Sequence, residues 1–165
     1  MNKFVIEQSQ NETQLAISLH QNAEMSGIRL SRAKASAHPP EISLNENIAI
    51  SMDVKSKQVS CGKIHLVIEV DFRLTGNKQA DNPKAKPVIL VECSFEVSYQ
   101  LNSGFEPSTE QIQAFKDGNA IFNCWPYCRQ YVQDMVLRLG YPPITLPFLR
   151  VVTRPSKKRK AKKSE

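Results

Sequence analysis

Apolar residues recur at every second position in three long segments of the chain, which is the pattern of a half-buried β-strand. The segments are NIAISMDV, KIHLVIEVDFRL and PVILVECSFEVSYQL, at residues 47–54, 63–74 and 87–101. Each has one apolar and one polar face, which favours antiparallel strands because parallel strands are usually covered on both faces. A weaker alternation in GIRLSRAKASA, from Gly27, predicts a further strand at the periphery.

In the last third of the chain the apolar spacing becomes helical. Ser108 and Gln111 have the spacing of a capping box at the start of one helix, and Gly118 with its neighbour predicts an interruption. A second helix is predicted to begin near Pro126, in its first turn, and to end at Gly140. The following stretch, YPPITLPFLRVV, contains three prolines and is expected to lie extended across the body.

The N-terminal residues are polar, with Leu15, Leu19 and Ala23 on one side of a short helix that Asn11 or Thr13 would cap. Strands that precede helices predict an α+β fold, in which a four-stranded antiparallel sheet is backed by two C-terminal helices. We expect an N-terminal arm or short helix over residues 1–24, one folded domain over 25–152 and a disordered polybasic tail over 153–165.

The net charge of +6 belongs to the end of the chain. From Arg154 onward there are seven basic residues and one acidic residue, so the remainder is neutral. Such a tail would contact nucleic acid or an anionic surface through residues 154–165 by weak, salt-sensitive interactions, or would simply keep the protein soluble. The chain contains no signal peptide and no apolar run of about 18 residues, so a cytoplasmic location is expected.

Candidate chemistry is sparse. Cys124 and Cys128 are four residues apart, but further metal ligands at a suitable spacing are missing, and buried, reduced thiols are the better interpretation. The histidines and carboxylates form no catalytic constellation, and Glu69, Asp71 and Arg73 indicate a neutralised surface ladder. The sequence contains no glycine-rich phosphate loop. We therefore predict that the protein is not an enzyme and has no metal or cofactor.

Large apolar residues are crowded around the last predicted helix. They are Trp125, Tyr127, Tyr131, Tyr141, Ile144, Leu146, Phe148 and Leu149. Each of them could close the core of a small domain, but together they exceed what one helix face can bury against one sheet. The surplus is expected to face a partner subunit or a groove.

The same segment resembles the SecB family of export chaperones. The resemblance rests on Trp125-Pro126-Tyr127-Cys128-Arg129 opening a helix, on the exit Gly140-Tyr141-Pro142 and on the apolar stretch ITLPFLRVV. It covers residues 119–152 by motif and 27–101 by strand pattern. It implies a four-stranded antiparallel sheet with two helices, a homotetramer built as a dimer of dimers, and binding of unfolded polypeptides in hydrophobic grooves without nucleotide.

The resemblance also implies the location of the groove and of a docking surface for the translocase motor SecA. The groove residues would be Phe95, Val97, Tyr99, Trp125, Tyr127, Tyr131, Ile144, Leu146 and Phe148. Glu92 matches one carboxylate of the SecA contact, but Arg29, Arg32 and Lys34 stand where acidic residues are expected. The basic tail and added N-terminal helix look more like the branch of the family that protects antitoxins of toxin–antitoxin pairs.

Three functions follow from the sequence. The first is an ATP-independent holdase that keeps non-native chains soluble or competent for export, and the second is a dedicated chaperone of an antitoxin. The third, from a different class, is a nucleic-acid-binding protein that acts through the basic tail. Binding by the tail would collapse as salt is raised, whereas binding in an apolar groove would tolerate salt.

Overall fold

The computed structural model of the protein describes residues 4–38, 48–78 and 86–154. Within these ranges the element order is β1 (Phe4–Gln8), α1 (Gln10–His20), β2 (Ala23–Ala37), β3 (Ile48–Cys61), β4 (His65–Lys78), β5 (Ile89–Leu101), α2 (Thr109–Phe115), α3 (Ile121–Arg138) and β6 (Leu149–Thr153). The predicted α+β class is confirmed. The disorder predicted for the tail falls beyond Arg154, outside the described residues.

The central sheet is antiparallel with the strand order β2-β5-β4-β3. Its register pairs Val70 with Phe95 and Phe72 with Cys93, so the apolar positions of β4 and β5 share one face. These side chains are almost fully buried, as the period-two pattern predicts. The edge strands β2 and β3 carry mostly exposed or half-buried side chains.

The helices α2 and α3 are joined by a π-helical turn, Lys116–Ala120, and form one continuous layer. The predicted Ser108–Gln111 capping box is present. The predicted start of the second helix near Pro126 is wrong, because the interruption at Gly118 widens the helix without ending it. α3 begins at Ile121 and contains Pro126, whose missing amide leaves one carbonyl in the previous turn without its helical partner.

The helix α1 forms as predicted, but its cap is Ser9. The Ser9 side chain accepts from the Glu12 amide at 3.2 Å, and the Glu12 carboxylate accepts from the Ser9 amide at 2.6 Å. Leu19 is buried on its inner side, whereas Ala23 already belongs to β2.

None of the helices in the three described ranges is both long and apolar enough to cross a membrane.

A second, two-stranded sheet pairs β1 with β6 in parallel, which the sequence did not indicate. Its register places Phe4 beside Leu149 and Gln8 beside Thr153. The extended course predicted for the C-terminal stretch therefore ends in a strand. The strand Phe4–Gln8 pairs with β6 and is followed directly by α1.

Gln8 joins β1 to the end of α2. Its side-chain amide donates to the carbonyl of Ala114 at 2.7 Å, and Gln8 is almost fully buried. A methyl group on Gly118 would lie only 2.6 Å from this amide nitrogen. Because Gly118 has no side chain, the Gln8 side chain can occupy the space beside it.

The polar face of the central sheet carries charges that neutralise one another. Lys34, Glu92, Arg73 and Asp53 are successive register partners across the four strands, with alternating sign. Glu92 forms an ion pair with Arg73 at 3.4 Å. The predicted surface ladder is confirmed as a neutralised one, and Glu92 is not part of an acidic patch.

Glu69 is the buried centre of this ladder. Its carboxylate accepts from Lys57 at 2.6 Å, from Arg32 at 2.8 Å and from Ser31 at 3.2 Å. The hydrogen bond from Lys57 holds the pKa of Glu69 below its usual value, against the opposing effect of burial, and Arg32 and Ser31 add to the lowering. Asp71 accepts from the same Arg32 at 2.9 Å.

Substituting Gly118→Ala should destabilise the protein by about 1–2 kcal/mol, because the new methyl group displaces the Gln8 side chain from its hydrogen bond. In a Gln8→Ala background the same change should instead be neutral or stabilising by up to about 1 kcal/mol, since alanine is the better helix former. Urea unfolding of the four proteins in the cycle measures both effects. An equal cost of Gly118→Ala in both backgrounds would contradict this role for Gly118.

Substituting Glu69→Gln should lower the free energy of unfolding at pH 7 by about 1–2 kcal/mol. A lowered folded-state pKa contributes stability above the unfolded-state pKa of about 4.3, and that contribution is lost as the pH falls through the folded value. The difference between wild type and variant should therefore shrink below about pH 4.3. The matched control is Glu106→Gln, an exposed residue, and a pH-independent difference for Glu69→Gln would refute the assignment.

Candidate functional site

Five aromatic side chains form a connected row from β1 to the outer side of α3. Successive ring centroids are separated by 4.8 Å from Phe4 to Trp125, 6.0 Å from Trp125 to Phe72, 6.3 Å from Phe72 to Phe95 and 6.2 Å from Phe95 to Tyr127. We call these residues the aromatic row. Trp125 and the two sheet phenylalanines are buried, whereas Tyr127 is 43% exposed. The row therefore leads from the core to the surface.

The residues between α3 and β6, 141–148, cross this row as an extended covering segment. Trp125 donates its indole N–H to the carbonyl of Pro147 at 3.0 Å, and Arg129 donates from Nε to the carbonyl of Leu146 at 2.9 Å. The Arg129 guanidinium also lies 4.5 Å from the centre of the Phe148 ring. Both donors come from α3, so the covering segment is held by side chains of the helix.

At its other end the covering segment contacts the chain beyond β2. The Tyr141 hydroxyl donates to the carbonyl of His38 at 2.8 Å. Gly140, which has a φ of 84°, turns the chain out of α3 immediately before this residue, in agreement with the predicted helix end. The covering segment is thus fixed at both ends.

The structure divides the predicted groove residues into two groups. Those that are 5% exposed or less are Phe95, Val97, Tyr99, Trp125 and Leu146. Their side chains lie in the core, so they would contact another chain only after the elements that cover them had moved. Their predicted role in binding stays a prediction.

The other predicted residues reach the surface. Phe148 is 75% exposed and Tyr127 is 43% exposed, while Tyr131 and Ile144 are partly buried against the core. Burial raises the pKa of Tyr131. Phe148 and Tyr127 are therefore the two predicted groove residues with the most apolar area in contact with solvent.

The sequence reasoning missed two groups of apolar residues. One is Phe4, which completes the aromatic row from the N-terminal strand. The other is an outward stripe on α3, where Phe122 and Leu137 are about half exposed and Pro126 lies between them on the same line. Placing the helix start at Ile121 would have revealed this stripe, because residues 122, 126, 133 and 137 then share one face.

The buried polar groups of this region are unreactive. Burial raises the pKa of the Cys124 thiol to about 12, and a hydrogen bond with Cys93 together with burial raises that of Cys128. Both therefore stay protonated at neutral pH, which lowers their nucleophilicity. In the described ranges, no three histidine, cysteine, aspartate or glutamate residues are grouped in a way that could hold a metal ion.

Tyr99 is a further buried polar group of this region. It is buried beneath Phe115, with 5.0 Å between the ring centroids, and its hydroxyl accepts from the Asn123 amide at 2.9 Å. Burial raises the pKa of Tyr99 well above its usual value. The Tyr99 hydroxyl therefore stays protonated at neutral pH, and its ring contributes apolar contact.

Removing the Arg129 side chain should loosen the covering segment, since one hydrogen bond and the contact with Phe148 are lost. Arg129→Ala should lower the free energy needed to detach the covering segment by about 1–3 kcal/mol. The protein has one tryptophan, so fluorescence reports on Trp125 alone, and acrylamide quenching should rise in the variant. Arg138→Ala, an exposed residue of the same helix, is the control. Equal quenching in both variants would show that Arg129 does not hold the segment.

Comparison with known proteins identifies two curated relatives from Mycobacterium tuberculosis. The SecB-like chaperone MT2006 of strain CDC 1551 / Oshkosh is 28% identical over 141 residues, which cover 77% of each chain. The SecB-like chaperone Rv1957 of strain ATCC 25618 / H37Rv is 26% identical over 140 residues, with 77% of each chain covered. No protein-family model matches the chain.

A solved structure has the same fold. It is that of the Mycobacterium tuberculosis Rv1957 SecB-like chaperone in complex with a ChAD peptide from the Rv1956 HigA1 antitoxin. The TM-score is 0.73 at 22% sequence identity, and the match covers 84% of this chain and 99% of the other. The four-stranded antiparallel sheet with its helix layer is therefore a known arrangement. Relatives and fold together confirm the resemblance to SecB-like chaperones found in the sequence.

Proposed function

We propose that this protein is an ATP-independent holdase, a chaperone that binds unfolded polypeptide segments and keeps them from aggregating. The observation that carries the proposal is the aromatic row, which runs from the core to the surface at Tyr127. A second ring, that of Phe148 over Arg129 of the same helix, is 75% exposed. The similarity to SecB-like chaperones supports the proposal. The binding site would consist of the nine residues predicted from the sequence, with the exposed ones making first contact.

An apolar surface suits this task because it discriminates little between client sequences. Each client side chain that leaves water for the surface around Tyr127 and Phe148 gains about 25 cal/mol per Å² of apolar area, so several contacts are needed for useful affinity. Many weak contacts tolerate many sequences. Buried residues such as Trp125 and Leu146 would add to the contact once the covering segment moves aside.

The assembly that fits this site is a homotetramer, arranged as a dimer of dimers. Two exposed surfaces support it: the stripe through Phe122 and Leu137 on α3, and the outer edge of β2, where Met25 and Leu30 are both more than 40% exposed. Apolar patches of this kind are typical of subunit interfaces. We place the assembly in the cytoplasm, where the four cysteines remain thiols.

An antitoxin is the client class that the comparisons favour. The Rv1957 SecB-like chaperone, which has the same fold, was solved with a ChAD peptide from an antitoxin. A role as a dedicated chaperone of an antitoxin is therefore the second candidate. A role in export with docking to SecA has less support, since Glu92 is paired with Arg73 on a neutralised face.

Light scattering of a denatured, aggregation-prone protein diluted into buffer tests the holdase. Suppression without ATP should saturate near stoichiometric ratios. The double variant Tyr127→Ser/Phe148→Ser should need roughly ten times more protein, because it removes two exposed apolar contacts of about 0.7 kcal/mol each. Val59→Ser on β3, at a residue that is 49% exposed and distant in the fold, is the matched control.

Raising the salt concentration separates the holdase from a binder that uses its basic tail. Suppression should change little between 0.1 and about 0.5 M salt, and a variant lacking residues 155–165 should behave like the full chain. Suppression that depends on those residues and collapses with salt would favour the tail. No suppression at large excess would refute a general holdase and leave the dedicated antitoxin chaperone, to be tested with an antitoxin peptide.

A further inference from the structure

The strand β1 lies where an extended client segment would reach the buried part of the aromatic row. Phe4 stacks on Trp125 with 4.8 Å between ring centroids, and Ile6 is packed against the same core. Val5 and Glu7 point outward. The strand therefore presents an aromatic and an aliphatic side chain at alternate positions to the interior, as a bound apolar peptide would.

The two ends of β1 are attached unequally. At the Gln8 end, the side chain donates to Ala114, the backbone carbonyl accepts from the Arg154 amide at 2.7 Å, and Glu7 forms an ion pair with Arg154. At the Phe4 end, the attachments are the ladder with β6 and the ring contact with Trp125. Separation of β1 from β6 would therefore begin at Phe4, while the Gln8 end is still attached.

The pairing partner of β1 is itself a short strand. β1 and β6 have five residues each and form a two-stranded sheet separate from the central one. An isolated ribbon of two strands is marginally stable in water, and segments with few buried apolar contacts open well below the free energy of global unfolding. Four of the five residues of β6 are exposed, so the partner strand contributes few buried contacts of its own to the pair.

We infer that β1 is an internal competitor of the client. A client segment with apolar residues at alternate positions, the first of them aromatic, would take the place of β1 beside β6, in parallel, with its aromatic ring on Trp125. The inference rests on the proposed holdase function and names the class of segment that the site accepts. The measured association constant is then the intrinsic association constant multiplied by the fraction of molecules in which β1 has left the site.

A pair of substitutions on one strand tests the inference. Phe4→Thr removes the side chain that contacts Trp125, whereas Val5→Thr changes the outward face, and both place a threonine, which suits a strand, at the substituted position. Binding of a labelled peptide with the sequence of residues 4–8 between polar ends, and of a reduced, carboxymethylated model protein, is measured by fluorescence anisotropy. Phe4→Thr should bind both roughly ten times more tightly than wild type, and Val5→Thr within about twofold.

A reversible disulfide between β1 and β6 provides a second test that does not depend on folding defects. Val5 and Arg150 are register partners with exposed side chains, at a separation of about 5 Å that suits a disulfide. Val5→Cys/Arg150→Cys is made together with Cys61→Ser, which removes the exposed native thiol, and is oxidised with glutathione disulfide. The oxidised protein should bind the client at least about tenfold more weakly than the same protein after reduction.

The outcomes separate the two proposals. Equal affinity of the oxidised and reduced forms, with Phe4→Thr unchanged, would overturn the competition while leaving the holdase intact. Absence of client binding by every form would overturn both. Weaker binding by the locked form and tighter binding by Phe4→Thr would establish β1 as the resident occupant of the site.

Discussion

The width of the central sheet governs the rest of the molecule. Four strands at about 4.8 Å spacing form an apolar face roughly 15–20 Å wide, whereas one helix with its side chains is about 10–12 Å across. α3 therefore covers only part of the face of β4 and β5, on which nearly every inward side chain is buried. The remainder has to be covered by other parts of the chain, and the large side chains around Trp125 fill the space that results.

Those other parts are the covering segment and the β1–β6 pair. Both are extended, both contact Trp125, and each is held by a few identifiable interactions. Arg129 and Trp125 hold the covering segment through its carbonyls. Gln8 holds β1 in the space left by Gly118. A core closed in this way combines a stable sheet and helix with a weaker cover, which is what a protein that takes up apolar segments requires.

The opposite face of the sheet has a different role. Its charges alternate across the strands and are paired, so the face has little net charge with which to attract a strongly charged partner. Glu69 contributes to this arrangement as a structural group, buried between Lys57 and Arg32. We therefore assign the proposed client contacts to the helix side, where the aromatic residues and the two extended covers meet.

The sequence alone determined β4 and β5 with their faces, the first half of β3 and the capping box at Ser108, because each depends on residues a few positions apart. It also located the aromatic surplus and the resemblance to SecB-like chaperones, since the Trp125–Arg129 motif is local. It could not determine that β1 pairs with β6, that Gly118 accommodates Gln8, or that Trp125 and Phe95 are buried while Phe148 is exposed. Those features depend on contacts between residues that are distant along the chain, so only the folded arrangement decides them.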